Sequence, residues 1–469
     1  MKSRSKLDEK DERLEAMELM DARAQSLQRR RFLLGATAVG VGALAISSAI
    51  PPFPAQAVVL TGHDEVFNIH DYGAVGDGVH ADGPGIQAAI TAASAVAGGA
   101  TVYIPSGTYL VGATLTVATS HITVRGEGPS SLLMATFATG DIIQIAFGGT
   151  TRIVGTALEE FSIYSTVLRT SGAAISFTYV QDVRVVSVQC AARDVAAAAN
   201  NLWDGLVFKN FTGVYVQTAM VNVRNVGVTV SADATGIGAD IWLAGGTIIQ
   251  KADTGVHCGG GVGGLYFDEV ICFNNLTHVT IDDSITSTPN REVIFNNCVL
   301  DTAANHGVQV LSNGVYVLSF HGTYGGNTGF GGKQGHPYGA IVRVFSGGIL
   351  HPSNVVVSGC KFFNAYGDGI LAESGSWSIT GCDISLNGQG TAGGYGVYLS
   401  GSAVSNSLVV GNSIRQNGSY PTPLPIGVGV YVGSTVDNYI VSNNLLTNNG
   451  TADIQQTGGP HKVVANNLP

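Results

Sequence analysis

Charge is scarce in this chain of 469 residues: Asp, Glu, Lys and Arg together make up 12% of it, about half the usual share of roughly 25%. What charge there is leans acidic, with 23 Lys and Arg against 33 Asp and Glu and a net charge of −10. The first 57 residues hold 9 basic and 7 acidic groups, so the remainder carries 14 basic against 26 acidic. That balance excludes nucleic acid as a partner, because such binding is dominated by cationic contacts to phosphate. It also weighs against a strongly anionic polysaccharide. Proline is sparse, and no Pro/Ser linker, charge run or composition shift interrupts the chain after residue 58. Length alone admits two or three domains; without a boundary signal, one domain follows. The six cysteines form no CxxC pair and no His/Cys cluster, which removes the usual zinc and dithiol redox patterns.

The N-terminus is an addressing segment rather than part of the fold. Arg29-Arg30-Arg31-Phe32-Leu33 has the twin-arginine export pattern, an apolar stretch runs from Phe32 to about Ile50, and Ala55-Gln56-Ala57 supplies a small-x-small cleavage site. The stretch is nearly long enough to span a bilayer as an uncleaved anchor, but its Gly, Ala and Ser content favours a cleaved signal over residues 1–57. The twin-arginine translocation machinery is then a transient partner, and the mature chain is expected in the periplasm or outside the cell.

What the chain has in excess is glycine, 64 residues, about twice the usual share of roughly 7%. Several fall in Asp71-Tyr72-Gly73-Ala74-Val75-Gly76-Asp77-Gly78, where they permit turn conformations closed to other residues. Ile86, Ile90 and Ala93 then fall at helical spacing, which predicts an amphipathic helix over 84–97, ended by Gly98-Gly99. Val102, Ile104 and Tyr109 begin strands around Pro105-Ser106-Gly107. A helix there would cover the apolar end of a repeat structure.

Repeats follow. Val355-Val356-Val357-Ser358-Gly359-Cys360 aligns with Trp377-Ser378-Ile379-Thr380-Gly381-Cys382, and both align with the segments ending at Asn412, Asn444 and Asn467. Upstream, Val293-Ile294-Phe295-Asn296-Asn297-Cys298, Leu265-Tyr266-Phe267-Asp268-Glu269-Val270 and Leu318-Ser319-Phe320-His321-Gly322-Thr323 fit the same frame. Spacings of 22 to 37 residues with a second strand after a Gly in each unit predict a coiled solenoid whose turns bury their apolar faces only by stacking. The opening and the repeat together resemble the pectate-lyase-like superfamily, in particular its rhamnogalacturonase/epimerase-like domains. The resemblance implies an all-β, single-stranded right-handed parallel β-helix with a short N-terminal capping helix. Residues 58–130 would form the cap and first turns, and 131–469 the body, in roughly ten turns overall.

In that frame Cys298, Cys360, Cys382, Asn412, Asn444 and Asn467 share one inner column. Stacked asparagines there can hydrogen-bond along the column, and cysteine is small enough to be a packing group beside them. Free buried thiols are therefore expected, with a Cys360–Cys382 disulfide as the alternative.

Members of this superfamily usually hold substrate across one face of the central turns. The polygalacturonase signatures and the Asp-Pro-His-Glu motif of alginate epimerases are not present, so no catalytic residue carries over. Column arithmetic gives Asp268, Asn296 and His321 the same outward position on three successive turns, with Glu269 and Asn297 beside them and Asp301 further along its turn. Carboxylates one or two turns apart would lie near 5 or 10 Å, bracketing the separations glycosidases use. The candidate catalytic residues are accordingly Asp268, Glu269, Asp301 and His321, with Asn296, Asn297, Tyr324, Lys333 and Tyr338 for substrate. Ordinary solvated side chains are the competing reading. Asp253, the pair Asp282 and Asp283, and the pair Asp368 and Glu373 are rival loci. Trp203 and Trp242 are either sugar platforms or packing groups.

The expectation is an exported polysaccharide- or oligosaccharide-active enzyme, first a glycoside hydrolase. A polysaccharide lyase acting on uronate-containing glycans and a non-catalytic glycan-binding protein are the alternatives. No cofactor is expected, with Ca²⁺ needed only for a lyase. A homotrimer is one assembly open to such a chain.

Overall fold

Asp82 ties the entrance of the fold together. In the computed structural model its carboxylate accepts hydrogen bonds from the backbone N–H groups of Val75 (2.6 Å), Gly76 (3.2 Å) and Leu110 (3.0 Å), which fixes the glycine-rich opening against the first coil. Gly76 has φ +75°, and a Cβ there would meet the Tyr109 ring at 2.6 Å, so this turn admits no side chain. The helix that follows spans Gly83–Ala93, shorter than the 84–97 expected. It starts at Pro84, whose missing N–H costs nothing in a first turn. Ile86, Ala89, Ile90 and Ala93 are buried on the end of the solenoid. The structure describes residues 65–191, 201–233, 238–311, 314–329, 339–349, 354–390, 394–418 and 427–469; the export segment lies outside them. Among the described residues no helix is long and apolar enough to cross a membrane.

Everything after the helix is strand, turn and short 3-10 helix. The strands pair in parallel and in register from one turn to the next, as Leu265, Tyr266 and Phe267 do with Val293, Ile294 and Phe295. They form three ladders. Two fuse through the long strands Ala173–Val186 and Asp204–Gln217 into one 27-stranded sheet, and the third is a 14-stranded sheet. That third ladder counts more turns than the ten read from the sequence, because the earlier coils lack the Asn and Cys markers that made the later ones countable. The fold is a parallel β-helix.

Its interior is built from columns of like residues. Phe267, Phe295 and Phe320 stack at centroid spacings of 4.3 and 4.7 Å, and the column continues through Val357 and Ile379. All six cysteines are buried free thiols. The asparagine column forms a ladder: Asn412 Nδ2 donates to Asn444 Oδ1 at 3.0 Å, and Asn444 Nδ2 to Asn467 Oδ1 at 2.9 Å. A second ladder, not apparent in the sequence alignment, runs Asn387–Asn417–Asn449 at 3.0 Å per step. Each asparagine also donates to a backbone carbonyl across the turn, which satisfies buried amides that would otherwise be costly.

Candidate functional site

Four strands of one ladder carry the outward face of interest: β1 (Gly238–Ala244), β2 (Val262–Asp268), β3 (Asn290–Asn296) and β4 (Val315–His321). Alternation sends Leu265 and Phe267 into the core and Gly264, Tyr266 and Asp268 outward. Register then sets three outward columns side by side. The first holds Asp240, Gly264, Glu292 and Val317, the second Trp242, Tyr266, Ile294 and Ser319, and the third Ala244, Asp268, Asn296 and His321. Beyond the third column each chain turns a corner through a left-handed residue: Gly245, Glu269, Asn297 and Gly322, with φ of 62°, 57°, 50° and 56°.

The third column brings Asp268, Asn296 and His321 together, and Glu269 and Asn297 occupy its corner. Asp268 is exposed, and partial burial together with the Glu269 charge raises its pKa above the ordinary carboxylate range. Asp301 is not brought to them. It lies past the corner on the 14-stranded sheet, in register with Phe273 and Gly326. There its Oδ1 accepts from Asn327 Nδ2 at 2.7 Å and from Thr302 Oγ1 at 3.3 Å. Burial raises its pKa, and burial with the Asp301 charge raises that of Tyr324 to about 12. Asp301 and Tyr324 thus belong to a neighbouring face. Lys333 and Tyr338 lie outside the described residues.

The sequence reading passed over the first two columns. Tyr215, Trp242 and Tyr266 stack outward, with centroids 4.6 and 5.2 Å apart and planes within 5° and 18°. The Tyr266 hydroxyl donates to Glu292 Oε2 at 3.0 Å, and Asp240 Oδ1 lies 3.5 Å from it. The two distances bound the separation of those carboxylate oxygens at about 6.5 Å. Burial and the Glu292 acceptor push the Tyr266 phenol well above its usual pKa, so it stays a donor. Gly264 makes the arrangement possible: a Cβ there would meet the Tyr266 hydroxyl at 2.5 Å and Asp240 Oδ1 at 2.6 Å. The one sequence signal for this cluster was the aromatic at the same frame position in successive turns.

Among the rivals, Asp282 is drawn to His257 Nε2 (3.0 Å) and to Ser284 Oγ (2.8 Å). The hydroxyl and the imidazole contact the same carboxylate oxygen, so no relay is formed. Asp368 is buried, and burial pushes its pKa to about 7 even though Oδ1 accepts the Tyr395 N–H at 2.7 Å. Asp253 is exposed, and Asp283 and Glu373 are half-buried. Trp203 lies under the Arg224 guanidinium, 5.2 Å from its carbon. Among the described residues no three His, Cys, Asp or Glu side chains gather closely enough to hold a metal ion.

A family model described as rhamnogalacturonase A/epimerase, pectate lyase-like, matches residues 66–330. The chain belongs to that family. A right-handed β-helix region matches residues 341–468, so the helix of this pectate lyase-like protein is right-handed. The family is one of polysaccharide-active β-helix enzymes. Mannuronan C5-epimerase AlgE1 of Azotobacter vinelandii is 61% identical over 49 residues, 10% of this chain and 3% of that protein. The chain spans a tenth or less of the length of the curated relatives it matches. Among solved structures, the N-terminal fragment of bacteriophage Phi29 gene product 12 aligns with a TM-score of 0.61 at 12% identity, over 85% of this chain and 70% of that one. The A-module of Azotobacter vinelandii mannuronan C-5 epimerase AlgE4 aligns with a TM-score of 0.53 at 14% identity, over 86% and 100%. At these identities the likeness is one of fold.

Proposed function

We propose that this pectate lyase-like protein is an exported glycoside hydrolase that works on the outward face of β1–β3. The observation that carries the reading is the convergence of Asp240 and Glu292 on the hydroxyl of Tyr266, at the end of an exposed aromatic stack. Glycoside hydrolysis needs two carboxyl groups flanking the scissile bond, ~5–5.5 Å apart for retention and ~6.5–9.5 Å apart for inversion. The bound of about 6.5 Å covers the retaining distance and only the lower edge of the inverting one. One of the pair donates a proton to the leaving oxygen, and the other attacks the anomeric carbon. Tyr266 is a positioning residue that holds Glu292 by its hydroxyl. Asp268, with its raised pKa, flanks the neighbouring subsite with Asn296 and His321. Support for export comes from Arg29-Arg30 and Ala55-Gln56-Ala57, and a glycan substrate fits both the family and the platform.

A panel of polysaccharides assayed for new reducing ends, and for ultraviolet absorbance of unsaturated sugars, tests the proposal. Reducing ends without absorbance are expected. Asp240→Asn and Glu292→Gln should each lower turnover by roughly two orders of magnitude or more, with the melting temperature little changed. Absorbance of unsaturated products would replace the hydrolase by a lyase. Full activity in both variants would remove the site.

A further inference from the structure

We infer that the glycan bound on this face carries no carboxylates: its sugars are neutral or amine-bearing. The inference rests on the glycan-active reading above and adds the substrate class. Stacked rings of Tyr215, Trp242 and Tyr266 offer a flat apolar floor that takes the C–H face of a sugar whatever its charge. Discrimination therefore falls to the edges of the floor, and both edges are acidic. Asp240 and Glu292 line one side, and Asp268 and Glu269 the other.

Cations do not balance them. The outward residues of β1, β2 and β3 include no Lys or Arg. Arg184, in register with Tyr215, is drawn to Glu159 at 3.8 Å. Arg291, exposed beside Glu292, is the nearest cation along β3. A uronate ring lying on Tyr266 would put its own carboxylate within a Debye length, about 8 Å at physiological salt, of acidic groups on either side. Like charges at that range in a partly desolvated groove repel. A neutral ring meets no such barrier, its hydroxyls donate to the flanking carboxylates, and an amine gains from them.

Calorimetric titration of the full chain with soluble dextran, xylan and chitosan oligosaccharides, and with oligosaccharides of polygalacturonate and alginate in the presence and absence of Ca²⁺, tests this. At least one neutral or amine-bearing glycan should bind tenfold or more tighter than either uronate. Trp242→Ala should weaken that binding at least tenfold with the melting temperature unchanged. The double variant Asp240→Asn, Glu292→Gln should raise uronate affinity several-fold. Uronate binding as tight as or tighter than the rest, with or without Ca²⁺ and abolished by Trp242→Ala, would overturn the substrate class and leave the face standing. Binding indifferent to Trp242→Ala, or no binding across the panel, would overturn both.

Discussion

Single side chains on this molecule are controlled by what lies one turn above and below them. Tyr266 illustrates this, since its hydroxyl reaches Glu292 on the next turn and approaches Asp240 on the previous one. Removing a donor to an ionised carboxylate raises that carboxylate's pKa. In Tyr266→Phe the acid limb of the kcat/KM–pH profile should therefore move to higher pH, while a merely structural role would leave it in place. Asp368 makes a prediction about stability instead. Burial raises its pKa from the ordinary 3.8 to about 7, so the folded state holds a proton that the unfolded state has lost between those values. Stability then falls as pH rises through that window, is untouched by this group below it, and is constant above it. Asp368→Asn keeps an acceptor for the Tyr395 N–H and should flatten the slope between pH 4 and 7 in denaturant titrations. The gain at pH 8 should be on the order of a few kcal/mol.

Columns are the elements of this fold, more than individual strands. Within a strand the side chains make few contacts with each other; across turns they make ladders of asparagine, stacks of phenylalanine and rows of buried thiols. The ladder Asn412–Asn444–Asn467 is cooperative, since each amide both accepts from the previous rung and donates to the next. Asn444→Ala leaves the Asn412 backbone N–H and side-chain amide without their shared acceptor. It should cost about 1–3 kcal/mol, more than the same change at Asn467, whose rung is the last described. Chemical denaturation of the two variants measures the difference.

At the scale of the whole molecule, stability comes from stacking, with no covalent staple among the described residues. All six cysteines are free, and burial pushes the Cys190 and Cys298 thiols up to about 12, which keeps them unreactive. Melting curves with and without reductant should coincide, and thiol reagents should label the protein only after denaturation. A disulfide between Cys360 and Cys382 would separate the two curves. The cap works at the same scale, because the helix Gly83–Ala93 covers apolar core that the first turn leaves unpaired.

The amino-acid sequence by itself determined the solenoid, its inward columns and its cap. Those features are written in local periodicity: apolar residues alternating along short strands, a left-handed Gly or Asn at each corner, and Ile86, Ile90 and Ala93 on one side of a helix. It also put Asp268, Asn296 and His321 in one column, because aligning repeats is enough to define register. Only the tertiary structure decided which carboxylates meet. Asp301 shares a turn with Asn296, yet the corner at Asn297 carries it onto the 14-stranded sheet. Asp240 and Glu292 stand two turns apart, and they converge because Gly264 between them has no side chain and the Tyr266 phenol crosses the gap. A side chain's direction after it leaves the strand, and the space its neighbours on adjacent turns leave for it, depend on packing in three dimensions rather than on spacing along the chain.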